Sequence, residues 1–251
     1  MYKLIVAFIL ISLPLGLAKI VAADDICFIG SPSPLTGHPG ATFPATAENQ
    51  PIIDEADAIR GAFDVSAPLY ASAHLDDFSD KLGFVYVGQP LVDYLISENG
   101  SDPKYNGVGY IVAHEYAHQF QFKVWASGHD LQPKSTAQVE LQADVIAGIW
   151  YGINDRQFLA ALRRQVGPSF DRQIGIDDLV GKEQHAADQV ADYLAWTPAA
   201  HGTTEQRNAA IKAGIVYGED FYKSLPDSAF KDHASEIYDF SKDAAKEALN
   251  D

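Results

Sequence analysis

Cysteine is almost missing from this 251-residue chain: Cys27 stands alone, so no disulfide can form within one molecule in any compartment. Rigidity must come from packing or from a metal. Positive charge is scarce as well. Eighteen Lys and Arg face 34 Asp and Glu, a formal charge of −16, and a chain that acidic repels phosphate backbones and anionic lipid, which argues against nucleic-acid binding. Long apolar runs are also lacking, except at the start. Met1-Tyr2-Lys3 leads into a stretch from Leu4 to Ala18 whose only strongly polar residue is Ser12, and Val21-Ala22-Ala23 then offers small residues where a signal peptidase cuts. This pattern predicts a signal peptide over residues 1–23, cleaved before Asp24 in preference to after Ala18, and so a secreted or periplasmic product with no stable membrane insertion. The alternative is an uncleaved anchor, although the run is short for a span and Pro14 and Gly16 weaken it as a helix. No lipoprotein pattern precedes Cys27. Without residues 1–23, which take Lys3 and Lys19 with them, 228 residues remain at a formal charge of −18, enough for one domain with a substantial core.

Residues 24–51 are expected to form an extended arm, because from Ile29 to Pro51 the chain is rich in Pro, Gly, Ser and Thr and shows no apolar period. The body is expected over residues 52–251. Ile52, Ile53, Ala56, Ile59 and Phe63 have helical spacing; Leu82 to Val87 is β-prone, with Gly88-Gln89-Pro90 as its stop; and Asn99 to Pro103 is a loop. A helix should run from about Val108 to Phe122 with Val112, Ala113, Tyr116, Ala117 and Phe120 inward. Another should be capped by Ser135 or Thr136 and end near Gly152, and a separate one should run from Asp155 to about Val166. Lys182 to Trp196 is expected to be helical, as is Phe230 to Leu249. Thr203 followed by Gln206 has the spacing of a capping box for a helix from Thr204 to Gly218. Helices dominate and one small sheet precedes them, so the expected class is α+β.

The chemistry concentrates in His114-Glu115-Tyr116-Ala117-His118. On a helix His114 and His118 lie one turn apart on a single face, and Glu115 points about 100° round the axis towards the same opening. Downstream, Glu140 and Asp144 would also share a face. Two neutral imidazoles and a carboxylate, with a fourth position left to water, make a catalytic zinc set, so His114, His118 and Glu140 are the expected ligands of one Zn2+. Asp144 is expected to accept the spare ring N–H of a ligating histidine. Ala143, Ala147 and Gly148 are small enough to let the second helix approach the first.

The segments HEYAHQFQ, ELQADVIAG and His201-Gly202-Thr203-Thr204-Glu205-Gln206-Arg207 resemble, in order, three signatures of the neutral zinc metallopeptidases of bacteria, which belong to the wider glutamate-zincin group. The resemblance covers roughly residues 80 to 225. It implies a zincin-like domain, mostly helical, and an endopeptidase acting on peptide or protein substrates. Glu115 would serve as general base. His201 would be the first candidate to stabilise the transition state opposite the metal, with Tyr110 and Tyr105 as rivals. It further implies that the strand Phe84 to Val87 is an edge that pairs with extended substrate. Members often carry cysteines beside that strand and after the ELQAD segment, where this chain has Gly88 and Val145, so a disulfide between them is not available. Arg207 and Glu205 are expected at a helix terminus and in ion pairs; His38, His74, His129, His185 and His233 stand alone and carry no expected role. Two other functions remain open at this stage: a zinc-retaining pseudopeptidase that binds or scaffolds, and an inhibitor or partner module in which HExxH is accidental.

Overall fold

The computed structural model describes residues 42–72, 78–80, 83–99, 107–128, 135–166, 202–222 and 229–250. The expected signal peptide, most of the arm, the helix over Lys182–Trp196, Tyr105 and His201 lie outside them. The class is α+β, mostly helical with a small sheet ahead of the main helices. No helix among the described residues is long and apolar enough to cross a membrane.

Helix α1 (Gln50–Ala62) begins two residues before the sequence suggests, with Pro51 in its first turn. The Asn49 side chain donates to the Pro44 carbonyl at 3.1 Å, which folds the end of the arm back on the helix start, and Phe43 is buried. Ile52, Ala56 and Ile59 make its inner stripe, and Phe63 continues it into an aromatic cluster with Phe120, Trp150 and Phe230. Strands β1 (Leu69–Ser72), β2 (Phe78–Asp80) and β3 (Phe84–Gly88) form one sheet in the order β1-β3-β2. β3 pairs parallel with β1 and antiparallel with β2, and the register that sets Tyr70 opposite Tyr86 stacks their rings. This corrects the expectation for Phe84 to Val87: with a neighbour on each side, β3 is a central strand and has no free backbone edge for a substrate. Among the described strands β2 lies outermost on one side, while β1 is met on the other by a bridge between Thr42 and Tyr70.

Helix α2 (Gln89–Asn99) starts where Gly88-Gln89-Pro90 ends the strand; the proline that stops β3 is well suited to a helix's first turn. Helix α3 (Val108–Ala126) is buried from Val108 through Gln121, not along one stripe, because other elements surround it. Gln119 donates to the Phe84 carbonyl and fastens the sheet to this helix. A helix buried on every side must engage each polar group it carries, and this one carries two histidines, two glutamines and a glutamate in eight residues.

Helix α4 (Thr136–Val166), with Ser135 Oγ accepting from the Gln138 amide at its start, does not end near Gly152. Gly152 serves close approach and is no stop signal. Helix α5 (Thr204–Tyr222) lies alongside, and Gly148 and Gly152 of α4 meet Gly214 and Gly218 of α5 backbone to backbone. A Cβ at Gly214 would collide with the Val145 carbonyl and lie 3.0 Å from Gly148 Cα; one at Gly152 would collide with the Ile215 carbonyl. Contacts pair Asp144 with Arg207, Gly148 with Ile211 and Gly152 with Ile215, so the two helices run parallel. Gly148, expected to ease the approach of α4 to α3, instead faces α5. Gly214→Ala should therefore destabilise the fold by about 1–3 kcal/mol, since backbone cannot rotate away as a side chain can. Gly61→Ala, in α1 with nothing within 4 Å of the new methyl, should be neutral or stabilise by about 0.4–1 kcal/mol. Urea midpoints of the two variants check both.

The capping box is present: Thr203 N–H donates to Gln206 Oε1 at 3.0 Å and Gln206 N–H to Thr203 Oγ1 at 3.2 Å. The expected C-terminal helix is broken at His233 into α6 (Ala229–Asp232) and α7 (Ala234–Ala248). Ile237, Ala244 and Ala248 of α7 are buried, and Trp125 Nε1 of α3 donates to the Tyr238 hydroxyl.

Candidate metal centre

Helix α3 projects His114 and His118 one turn apart, and α4 brings Glu140 against them. The three residues are 2%, 1% and 0% exposed. His114 Nε2 lies 3.2 Å from His118 Nε2 and 3.3 Å from Glu140 Oε2, and His118 Nε2 lies 3.7 Å from Glu140 Oε1. Ligands about 2.0–2.1 Å from a tetrahedral zinc are separated by about 3.3–3.4 Å, close to the spacing found. Among the described residues, this is the His/Cys/Asp/Glu group whose ligand atoms all fall within 4.8 Å of one another.

The protons decide what such a cluster can hold. His114 Nδ1 sits 2.8 Å from Asp144 Oδ1, a carboxylate that can only accept, so Nδ1 carries the hydrogen and neutral His114 turns a lone pair inward at Nε2. Gln121 Nε2 donates to the Val139 carbonyl, so Gln121 Oε1 is the atom 2.8 Å from His118 Nδ1, and His118 must donate there too. Two nitrogen lone pairs and a carboxylate thus point at one spot with the water stripped away. That arrangement repels itself unless a cation sits among them. His114 shows the same demand: burial pulls its pKa down, but the charge and hydrogen bond of Asp144, with the hydrogen bond of Glu140, outweigh it and push it up to about 10, so the ring is neutral with its lone pair inward only when a metal takes the place of the second proton. Two imidazoles and one carboxylate are donors that suit Zn2+.

Around this group lies a second layer. Asp144 Oδ1 receives three donors: His114 Nδ1, the Tyr110 hydroxyl at 3.0 Å and Arg207 Nη2 at 2.7 Å. Arg207, expected in an ion pair near a helix terminus, is in one, but wholly buried. Tyr110 is spent on Asp144 and stacked on Tyr151, and burial, with the Asp144 charge next, raises its pKa well above the usual tyrosine range. Its hydroxyl is thus placed to hold Asp144, the carboxylate that orients His114. Glu115 is buried beside His114 on α3. Glu205 is exposed in the first turn of α5, and His233 pairs on the surface with Glu236 at 2.9 Å.

Gln121 and Gln142 escape sequence reasoning, though both are wholly buried. The available signal was a glutamine three residues after the second histidine, on a helix otherwise apolar at its inner positions. The chain matches no established protein family, no curated protein and no solved structure.

Proposed function

We propose that this chain is an exported, zinc-dependent peptidase. The observation that carries the reading is the convergence of His114 Nε2, His118 Nε2 and a Glu140 carboxylate oxygen at tetrahedral spacing, each imidazole held by a hydrogen bond on its far nitrogen. Support also comes from the order of HEYAHQFQ, ELQADVIAG and HGTTEQR along the chain, and from the signal-like residues 1–23. Bound there, zinc would acidify a coordinated water and polarise a peptide carbonyl. Glu115 takes the proton from the attacking water and returns it to the leaving amine. Asp144 and Gln121 hold the imidazoles against rotation. His201, at the head of the HGTTEQR segment, is the first choice for the opposing electrophile, and β2 offers the outer edge for an extended substrate.

Metal analysis of protein purified without chelators, paired with cleavage of an unbiased peptide library, tests this directly. One zinc per chain and turnover that disappears in Glu115→Gln are expected. A chain without stoichiometric zinc would leave HExxH accidental and sink the proposal. The near-complete burial of the ligands and of Glu115 favours a second reading, in which zinc is kept to clamp α3 to α4 in a binding or scaffolding protein. Stoichiometric zinc with no cleavage of any peptide is the outcome that selects it.

A further inference from the structure

We infer that His118 is set for metal binding by a one-way hydrogen-bond relay that starts on the C-terminal helix α7 and passes through Gln142 and Gln121. The inference rests on the metal-site reading above and adds to it a pair of positioning residues and a third helix. Backbone carbonyls settle its direction, since they can only accept. Gln142 Nε2 donates to the Tyr238 carbonyl at 3.2 Å and to Ser241 Oγ at 3.1 Å, while Ser241 passes its own hydrogen to the Tyr238 carbonyl at 2.9 Å. Both amide hydrogens of Gln142 are used, so its oxygen faces Gln121. Gln121 Nε2 donates to that oxygen at 3.2 Å and to the Val139 carbonyl at 3.0 Å. Its own oxygen is then left to accept from His118 Nδ1 at 2.8 Å.

Every link is buried, with Gln121, Gln142 and Ser241 all at 0% exposure, so no water competes for the donors and neither amide can turn over without setting its oxygen against a backbone carbonyl oxygen. The two histidines are thereby held by unlike means. His114 leans on a carboxylate backed by an arginine, and His118 on neutral amides tied to a helix more than a hundred residues downstream. Docking of α7 is then part of assembling the metal site as well as part of the core.

The test is a double-mutant cycle on the zinc dissociation constant of the full chain, using Gln121→Met and Gln142→Met, with long-range nitrogen–proton NMR of the His118 ring in the metal-free protein. Gln121→Met should weaken zinc binding by about 10–100-fold. Gln142→Met should weaken it by a smaller factor in the parent and by none in the Gln121→Met background, because it acts only through Gln121. In the metal-free parent the spectrum should show His118 with its hydrogen on Nδ1, and Ser241→Ala, the mildest break, should shift that hydrogen's signal. Independent, multiplicative losses in the double variant, or an Nδ1 signal that ignores Gln142→Met and Ser241→Ala, overturn the relay. A parent that takes up no zinc sinks the metal reading, and the ring spectrum still decides the relay.

Discussion

Arg207→Met should cost the fold about 3–5 kcal/mol, the penalty for stranding one member of a buried ion pair. Asp144 is wholly buried and Arg207 Nη2 is its cationic neighbour at 2.7 Å. Methionine fills much of the same volume, so the loss reports charge more than packing. For a domain of this size the melting temperature should fall by about 6–20 °C. Arg207→Met combined with Asp144→Asn should recover part of the loss, because neither partner is then a buried ion. Zinc affinity should divide the two roles: Arg207→Met keeps the carboxylate that orients His114, whereas Asp144→Asn weakens it as an acceptor and should weaken zinc binding further. A melting temperature within a degree or two of the parent would mean that the pair contributes little.

Glu115→Gln should lower kcat by about 10²–10⁴-fold, or about 2.7–5.5 kcal/mol of transition-state stabilisation, with zinc still stoichiometric. The substitution keeps the shape and removes the basic oxygen. Because proton transfer occurs on the way to the transition state, KM should change much less than kcat. Retention of most activity would exclude Glu115 as the base. Loss of the metal along with activity would instead make Glu115 part of what holds the site.

Much of this architecture could be read in the residues, and the failures have physical causes. The inner stripe of α1, the Thr203–Gln206 capping box and the pairing of HExxH with a downstream glutamate were visible because each rests on spacing within one helix or on one chemical pattern. Gly152 misled because glycine marks both a helix end and a place where another backbone comes close, and only the partner helix distinguishes the two. β1 and β2 are four and three residues long, too short for alternation to stand out, so nothing in the residues stood against the edge role that the resemblance implied for β3. The break at His233 fell inside a continuous amphipathic pattern. Arg207, Gln121 and Gln142 look like ordinary surface residues in composition; what makes them interior is the company they keep from distant parts of the chain.

The glycine seam between α4 and α5 has one more consequence. With peptide planes touching, the pair behaves like a pawl in a notch: a slide of a single residue would set branched side chains where only hydrogens fit. The same stop that blocks sliding delivers Arg207 to Asp144, one turn along from Gly148 and Ile211. A genetic screen for inactive variants should therefore collect hits at Gly148, Gly152, Gly214 and Gly218, none of which is a ligand. Such hits would invite talk of long-range communication, yet misalignment of two rods would account for them.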